Sequence, residues 1–310
     1  MQEYNLTVQP EDAGKRLDIF LLDFFLGEKL GLSRTAVKSL IDSGCVILSG
    51  EPAKKAHQKV KAGDVYLVAI EEKKPSSVCA EDIPLEVVYE DNDLAVINKP
   101  GGLVVHPAPG NREHTLVNAL MHRFKSLSDI NPERAGIVHR LDKETSGLLV
   151  IAKNNVSHLG LAKQFAEHSI KRRYVALVKG KMEFEENVIE LPIARDPQRR
   201  EAMAVNYGKN SRYARTRYRA LKRTKEYSFL ELEPFTGRTH QLRVHLSYVG
   251  HPILGDRKYG RNNEFPRLAL HARVLGFVHP VSGKSLEFSC AIPVEFTELI
   301  EKKEVIKKKA

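Results

Sequence analysis

Residues 211–234, SRYARTRYRALKRTKEYSFLELEP, hold two runs of strand character separated only by the polar segment 222–226. In the first run Arg215, Arg217 and Arg219 alternate, so on a strand all three guanidiniums share one face. Working outward, RRYVALVKG at 172–180 and KSLEFSCAIP at 284–293 read the same way. LEVVYEDNDLAVINKP at 85–100 predicts a hairpin about the Asp91-Asn92-Asp93 turn. LVNALMHRF, LGLAKQFAEH and HQLRVHL read as helices. Strands outnumber helices and follow one another directly. The expected class is therefore α+β with a mixed, largely antiparallel sheet, and not a doubly wound parallel one.

The first 75 residues read as a separate small α/β module. RLDIFLLDFF places Leu17, Phe20, Leu21 and Phe24 at helical spacing. A second helix is expected from Ser33 as N-cap to Gly44 as stop, followed by the strand CVIL, a Ser49-Gly50 turn and the strand in VKAGDVYLVAI. EEKKPSSVCAEDIP has two prolines and no periodicity, and reads as a linker. The expected division is a module at 14–72, a linker at 73–84, a main domain at 85–300 and a frayed basic tail at 301–310.

The composition is that of an ordinary globular chain: 310 residues, 42% apolar, 28% charged and 7% aromatic. No apolar run reaches the length of a membrane helix, and the start lacks the features of a signal peptide. Three dispersed cysteines argue against a disulfide framework or zinc knuckle and for a reducing, cytoplasmic compartment. The net charge of +10 lies wholly beyond residue 75. Between Arg195 and Lys225 there are 11 basic and 2 acidic side chains, a distribution suited to a polyanion or to a solvated face.

The standard signals of nucleotide hydrolysis, Rossmann redox chemistry and serine hydrolysis are missing. His240 and His245 have no neighbouring Glu or Cys to complete a metal site, so neither metal nor organic cofactor is expected. What remains is AGIVHRLDKETSGLLVIAKN at 135–154, a polar kernel from His139 to Ser146 between apolar flanks, with Asp142 its only aspartate. Such a kernel is a loop on a rigid scaffold, where reactive groups tend to sit. Read locally, Asp142 is first of all a turn aspartate that caps a backbone amide. A second kernel, EPFTGRTHQLRVHLSYVGHPILGD, leads from a polar loop into a helix.

HRLDKETSGLLVIAK, KRRYVALVKG and GRTHQLRVHLSYVGHPILGDRKYG resemble the signature segments of the RluA/RluD family of RNA pseudouridine synthases, and NKPGGLVVHP resembles the segment that precedes them. The likeness spans residues from about 83 to 294. The N-terminal unit resembles an RNA-binding module also found in a small-subunit ribosomal protein, a combination typical of the D-type enzymes that modify large-subunit ribosomal RNA.

The resemblance implies a pseudouridine synthase fold and a cofactor-free isomerisation of uridine, with ribosomal RNA as partner and no obligatory protein partner. By position it makes Asp142 the catalytic aspartate, acting on sugar or base. It makes Arg238 the basic residue paired with Asp142, and Tyr174 the ring that stacks on uracil. Arg140 would hold the place of the flipped nucleotide, and Leu242 would form an apolar wall. Taken alone, Tyr174 is a half-buried strand tyrosine. With RNA as substrate, Arg215, Arg217 and Arg219 are expected on backbone phosphates, and Arg34 and Lys38, four apart on one helix face, on RNA bound by the module. The alternatives are a non-catalytic RNA-binding assembly factor, for which Asp142 would have no task, and a small-substrate hydrolase, which would need neither module nor basic excess.

Overall fold

The structure is a computed structural model that describes residues 2–28, 32, 34–53, 55–70, 78–107, 111–199, 201–260 and 265–307. The N-terminal unit is an antiparallel sheet of β1 (Gln2–Thr7), β2 (Val46–Leu48), β3 (Glu51–Pro52) and β4 (Val65–Ile70) in the order β1-β4-β2-β3. Two helices cover it, α1 (Leu17–Gly27) and α2 (Arg34–Asp42). Phe20, Leu21 and Phe25 of α1 meet Val37 and Ile41 of α2 over Tyr66 and Val68 of β4. At the end of α2 Gly44 takes φ +77°, and the amides of Gly44 and Cys45 reach back to the carbonyls of Ile41 and Leu40. The expected N-cap, Ser33, lies outside the described residues, as do residues 73–77 of the expected linker. A start at residue 14 is too late: β1 pairs along its whole length with β4, and Leu6 is buried in the same core.

The main sheet is built from β5 (Glu86–Glu90), β6 (Leu94–Lys99), β7 (Ser146–Ala152), β8 (Lys171–Lys179), β9 (Glu186–Glu190), β12 (Arg215–Arg223), β13 (Tyr227–Pro234), β14 (Leu270–Val278) and β15 (Ser285–Ser289). Its order is β5-β6-β7-β14-β8-β13-β12-β9, with β15 on the far half of β14. A separate hairpin joins β10 (Ile193–Arg195) to β11 (Met203–Val205). Every strand pair in the main sheet is antiparallel except β7–β14, so the expected class holds. The four helices α3 (Leu116–Arg123), α4 (Asn155–Ala166), α5 (Gln241–Tyr248) and α6 (Val294–Lys307) complete this part. Residues 301–307 thus continue a helix, where a frayed tail was expected.

Both faces of the central strands are covered. Leu149 and Ile151 of β7 pack with Ile97, Leu116 and Leu120 on one face, while Leu148 and Val150 pack with Leu161, Leu275 and Phe277 on the other. A strand buried on both sides loses the apolar–polar alternation by which strands are recognised. For that reason β14, LHARVLGFV, escaped the sequence reading although it lies at the centre of the sheet.

Strand β14 forks. His271 and Ala272 pair with β7, and from Val274 onward the same edge passes to β15. At the fork Gly147 lies opposite Ala272 with φ +112°, and a Cβ there would meet the Ala272 carbonyl and, at 2.6 Å, its amide nitrogen. Gly147→Ala therefore combines an unfavourable backbone angle with a backbone clash. It should lower stability by roughly 1–3 kcal/mol or more, read as a drop in the urea midpoint.

Candidate active site

A cavity of about 600 Å³ opens between the loop preceding β7, the near end of β8 and the segment running from β13 into α5. Asp142, Arg140, Tyr174, Arg238 and Leu242, five residues expected from sequence, all line it. They are drawn together across a hundred residues because β7 and β8 both flank β14, and α5 packs on β12 and β13.

The loop carrying Asp142 is pinned along its length. His139 stacks on Phe165 at 4.3 Å, and its Nε2 accepts the Val150 N–H at 3.1 Å. The Lys143 carbonyl accepts from the Gly102 amide at 2.9 Å and from the Lys99 ammonium at 3.0 Å. Lys99 is wholly buried and also donates to the carbonyls of Pro100 and Leu103. Burial brings that ammonium down to about 7, against the pull of Glu144 and Asp142. The Asp142 carbonyl accepts the Thr145 amide and closes a turn, but among the described residues the carboxylate caps no backbone amide and has another use.

That use is an ion pair with Arg243, whose Nη1 donates to Asp142 Oδ2 at 3.1 Å. The expected partner, Arg238, does not make this contact: its Nε donates to the Tyr213 carbonyl at 3.0 Å, and its amide is capped by the Gln241 side chain. Arg238 precedes α5, whereas Arg243 sits in its first turns, on the side that faces the loop. Arg243 is 8% exposed and is held by Asp256, which is fully buried, through two bonds of 2.8 Å. Asp256 Oδ1 also accepts the amides of Lys258 and Tyr259. Burial opposes charge on both groups, but their mutual bonds prevail: the guanidinium is raised above its ordinary range and the carboxyl lowered below its own. A signal for this pair existed in the sequence. An arginine within the apolar helix HQLRVHL needs an acid, and Asp256 follows in the same kernel.

The remaining walls are aromatic and basic. Tyr174 is half-buried, and burial raises its phenol, so it stays protonated at neutral pH. Arg172, two residues earlier on β8, donates to the Pro234 carbonyl, while its buried Nε has no hydrogen-bond partner among the described residues. Leu242 is buried beside them, and Arg140 is exposed.

Elsewhere the expected surface residues meet acids. Arg215, Arg217 and Arg219 do share one exposed face of β12. Arg217 pairs with Glu186 at 2.6 Å and Glu233 at 3.7 Å, Arg219 with Glu231 at 3.2 Å, and Arg215 with Glu190 at 3.7 Å. Glutamates of neighbouring strands already answer their repulsion, so no phosphate is needed to explain the arrangement. In the module, Arg34 and Arg16 both donate to the buried Asp18, and Lys38 is exposed one turn beyond Arg34. Asp91, Asp93 and His279 lie close enough to hold a cation. However, His279 Nδ1 accepts two backbone amides, which leaves the proton on Nε2, facing Asp91 at 3.0 Å. The cluster locks the β5–β6 turn and is not shaped for a metal.

A family model described as RNA pseudouridylate synthase matches residues 93–248. The uncharacterized RNA pseudouridine synthase YlyB of Bacillus subtilis is 42% identical over 97% of this chain and 98% of its own. Ribosomal large subunit pseudouridine synthase D of Zymomonas mobilis is 44% identical over 97% and 98%. Among solved structures, human RNA pseudouridylate synthase domain containing 1 shares 28% identity, with a TM-score of 0.58 over 74% of this chain and 90% of that one. The chain belongs to the RNA pseudouridine synthases of the RluA/RluD type. It is an isomerase that converts uridine in RNA to pseudouridine.

Two outcomes follow from the geometry. Arg243→Lys keeps a charge but loses the fork that spans two acids, and should lower turnover on the order of a hundredfold in a protein folded by circular dichroism. Burial, with nearby arginines, holds His106 and His271 at about 4 and His139 at about 3, so all three are neutral in the folded state at pH 6.5. Below pH 6.5 the unfolded chain takes up more protons than the folded one. Stability should be intact above that pH and fall as pH drops towards 4 in urea titrations, on the order of 3 kcal/mol for each of the three histidines.

Proposed function

We propose that this enzyme isomerises uridines of large-subunit ribosomal RNA in the cytoplasm, with Asp142 as the reacting carboxylate and Arg243 as the group that aims it. The carrying observation is the Asp142–Arg243 pair in the wall of a nucleotide-sized cavity, held from behind by the buried Asp256. Relatives named ribosomal large subunit pseudouridine synthase D, such as the Pasteurella multocida protein at 37% identity, support the choice of RNA.

The reaction detaches uracil from ribose C1′, turns it and rejoins it through C5. It needs an anion at C1′ and a place for the ring to turn. Oδ2 of Asp142 is taken by Arg243, which leaves Oδ1 without that bond, on a residue that lines the cavity. Tyr174, protonated and half-buried, offers a face for the ring, with Leu242 closing the apolar side. Extruding a paired or stacked uridine costs a few kcal/mol. In this reading Arg140 at the exposed rim, with Arg34 and Lys38 of the module, compensates through backbone phosphates. Residues 2–70 then anchor RNA and residues 85–300 carry the chemistry.

Incubation with unmodified ribosomal and transfer RNA, mapped by carbodiimide primer extension, should reveal new pseudouridines in the large-subunit species. New sites confined to transfer RNA would overturn that choice of substrate. Asp142→Asn should abolish tritium release from RNA carrying 5-tritiated uridine while RNA affinity stays within about threefold, because the amide keeps the shape but not the charge. Substantial release by that variant would place the reacting group elsewhere.

A further inference from the structure

His240 stands in the wall of the same cavity with a left-handed backbone uncommon for a residue with a β-carbon, φ +56° and ψ 19°, at the N-cap of α5. A glycine would be the easy choice for that conformation, and a strained residue retained at a site invites a search for its task. Its side chain is fixed from behind. Nδ1 lies 2.7 Å from the Tyr259 hydroxyl, and that oxygen already accepts the Met203 amide at 2.8 Å. The phenolic hydrogen has no acceptor other than Nδ1 among the described residues. Nδ1 therefore accepts, and the imidazole proton sits on Nε2. Tyr259 is itself held by the Arg243 guanidinium over its ring at 5.0 Å, so one framework orients both His240 and the Asp142 partner.

Nε2 is 3.9 Å from Asp142 Oδ1. That is beyond a hydrogen bond, so the N–H is not spent on the carboxylate. Nε2 thus lies near the Asp142 oxygen that Arg243 does not bond, in a wall of the cavity. Burial keeps His240 neutral at neutral pH, with Asp142 pulling it upward and Arg243 and Lys258 pushing it down; Asp256 is the further acid that faces it.

We propose that His240 is a catalytic residue, whose Nε2–H donates to the C2 carbonyl oxygen of the uracil as it leaves the ribose. The inference rests on Asp142 as the reacting carboxylate. When the C1′–N1 bond breaks, its electron pair departs on uracil and spreads over N1 and the carbonyl oxygens, while Asp142 Oδ1 meets the electron-poor C1′. The C2 carbonyl adjoins N1 and is the first acceptor on the departing ring. A donor already in place beside Oδ1 meets charge that exists only after the bond begins to break. Rejoining forms C5–C1′ as Oδ1 leaves C1′ with its electron pair, the C5 hydrogen leaves as a proton and N1 takes one up, so no atom or electron is gained or lost. His240 transfers no proton in this sequence.

Asparagine and glutamine variants separate this role from a structural one. His240→Asn tolerates the left-handed backbone and still reaches Tyr259, but has nothing at the Nε2 position. His240→Gln puts an amide N–H near that position. With enzyme in excess over 5-tritiated RNA, His240→Asn should be slower on the order of a hundredfold at unchanged half-saturation, and His240→Gln within about fivefold of the parent. On RNA carrying 5-fluorouridine, whose base leaves as a more stable anion, the asparagine deficit in nucleotide conversion should shrink at least severalfold. An asparagine variant as fast as the parent, a glutamine variant as slow as asparagine, or an equal deficit on both RNAs would overturn the proposal. An inactive Asp142→Asn beside a fast His240→Asn would remove only the histidine's role, whereas an active Asp142→Asn would remove the reading of the site itself.

Discussion

The buried pair between Arg243 and Asp256 is the constraint on which the site depends. A guanidinium in the interior must be answered by an acid, because removing one partner of such a pair strands the other at a cost of about 3–5 kcal/mol. Here Asp256 answers it with both oxygens and is itself satisfied by two backbone amides. The guanidinium is thereby immobilised in plane, with a single corner, Nη1, left to reach across to Asp142. A flexible surface arginine would spend conformational entropy at each approach to the carboxylate, while this one has lost that freedom in folding. The same plane lies over Tyr259, which in turn sets His240.

The opposite partner is fixed by the sheet. Asp142 lies in a loop that enters β7 just before the one parallel junction in the main sheet, where a glycine allows the β7 and β14 backbones to approach. His139 ties the loop to the β7 edge, and Lys99 ties it to the turn after β6. These groups are expensive to bury and have little use outside this fold. Their burial is intelligible as the means of holding one carboxylate in register with one guanidinium from another part of the chain.

Charge elsewhere on the surface has a different character. The basic excess drew attention to the stretch that includes β12, yet its alternate arginines are interleaved with glutamates from β9 and β13. Exposed pairs of this kind contribute little stability each, about 0–1 kcal/mol. Their effect is to lower the local potential of a face that looks strongly positive when counted along the chain. Counting charges in sequence overlooks acids contributed by neighbouring strands.

Much was legible from residue order alone. Alternation marked β12 and β13, helical spacing marked α1 and α5, the Asp91-Asn92-Asp93 turn marked the β5–β6 hairpin, and the ordered segments around Asp142, Tyr174 and Gln241–Tyr248 marked the family and most of the cavity wall. These features are local, because dihedral preference and periodicity act within a few residues. What needed the tertiary structure was every relation between distant residues. β14 was hidden because burial on both faces erases alternation. β1 was missed because its six residues acquire meaning only in register with β4. Arg243 displaced Arg238 as the partner of Asp142 because direction, not proximity in sequence, decides which of two arginines five residues apart faces a given carboxylate. That direction comes from how α5 packs and from Asp256 behind it. The kind of chemistry was written in the segments, but its geometry was set by which buried charges had to find one another.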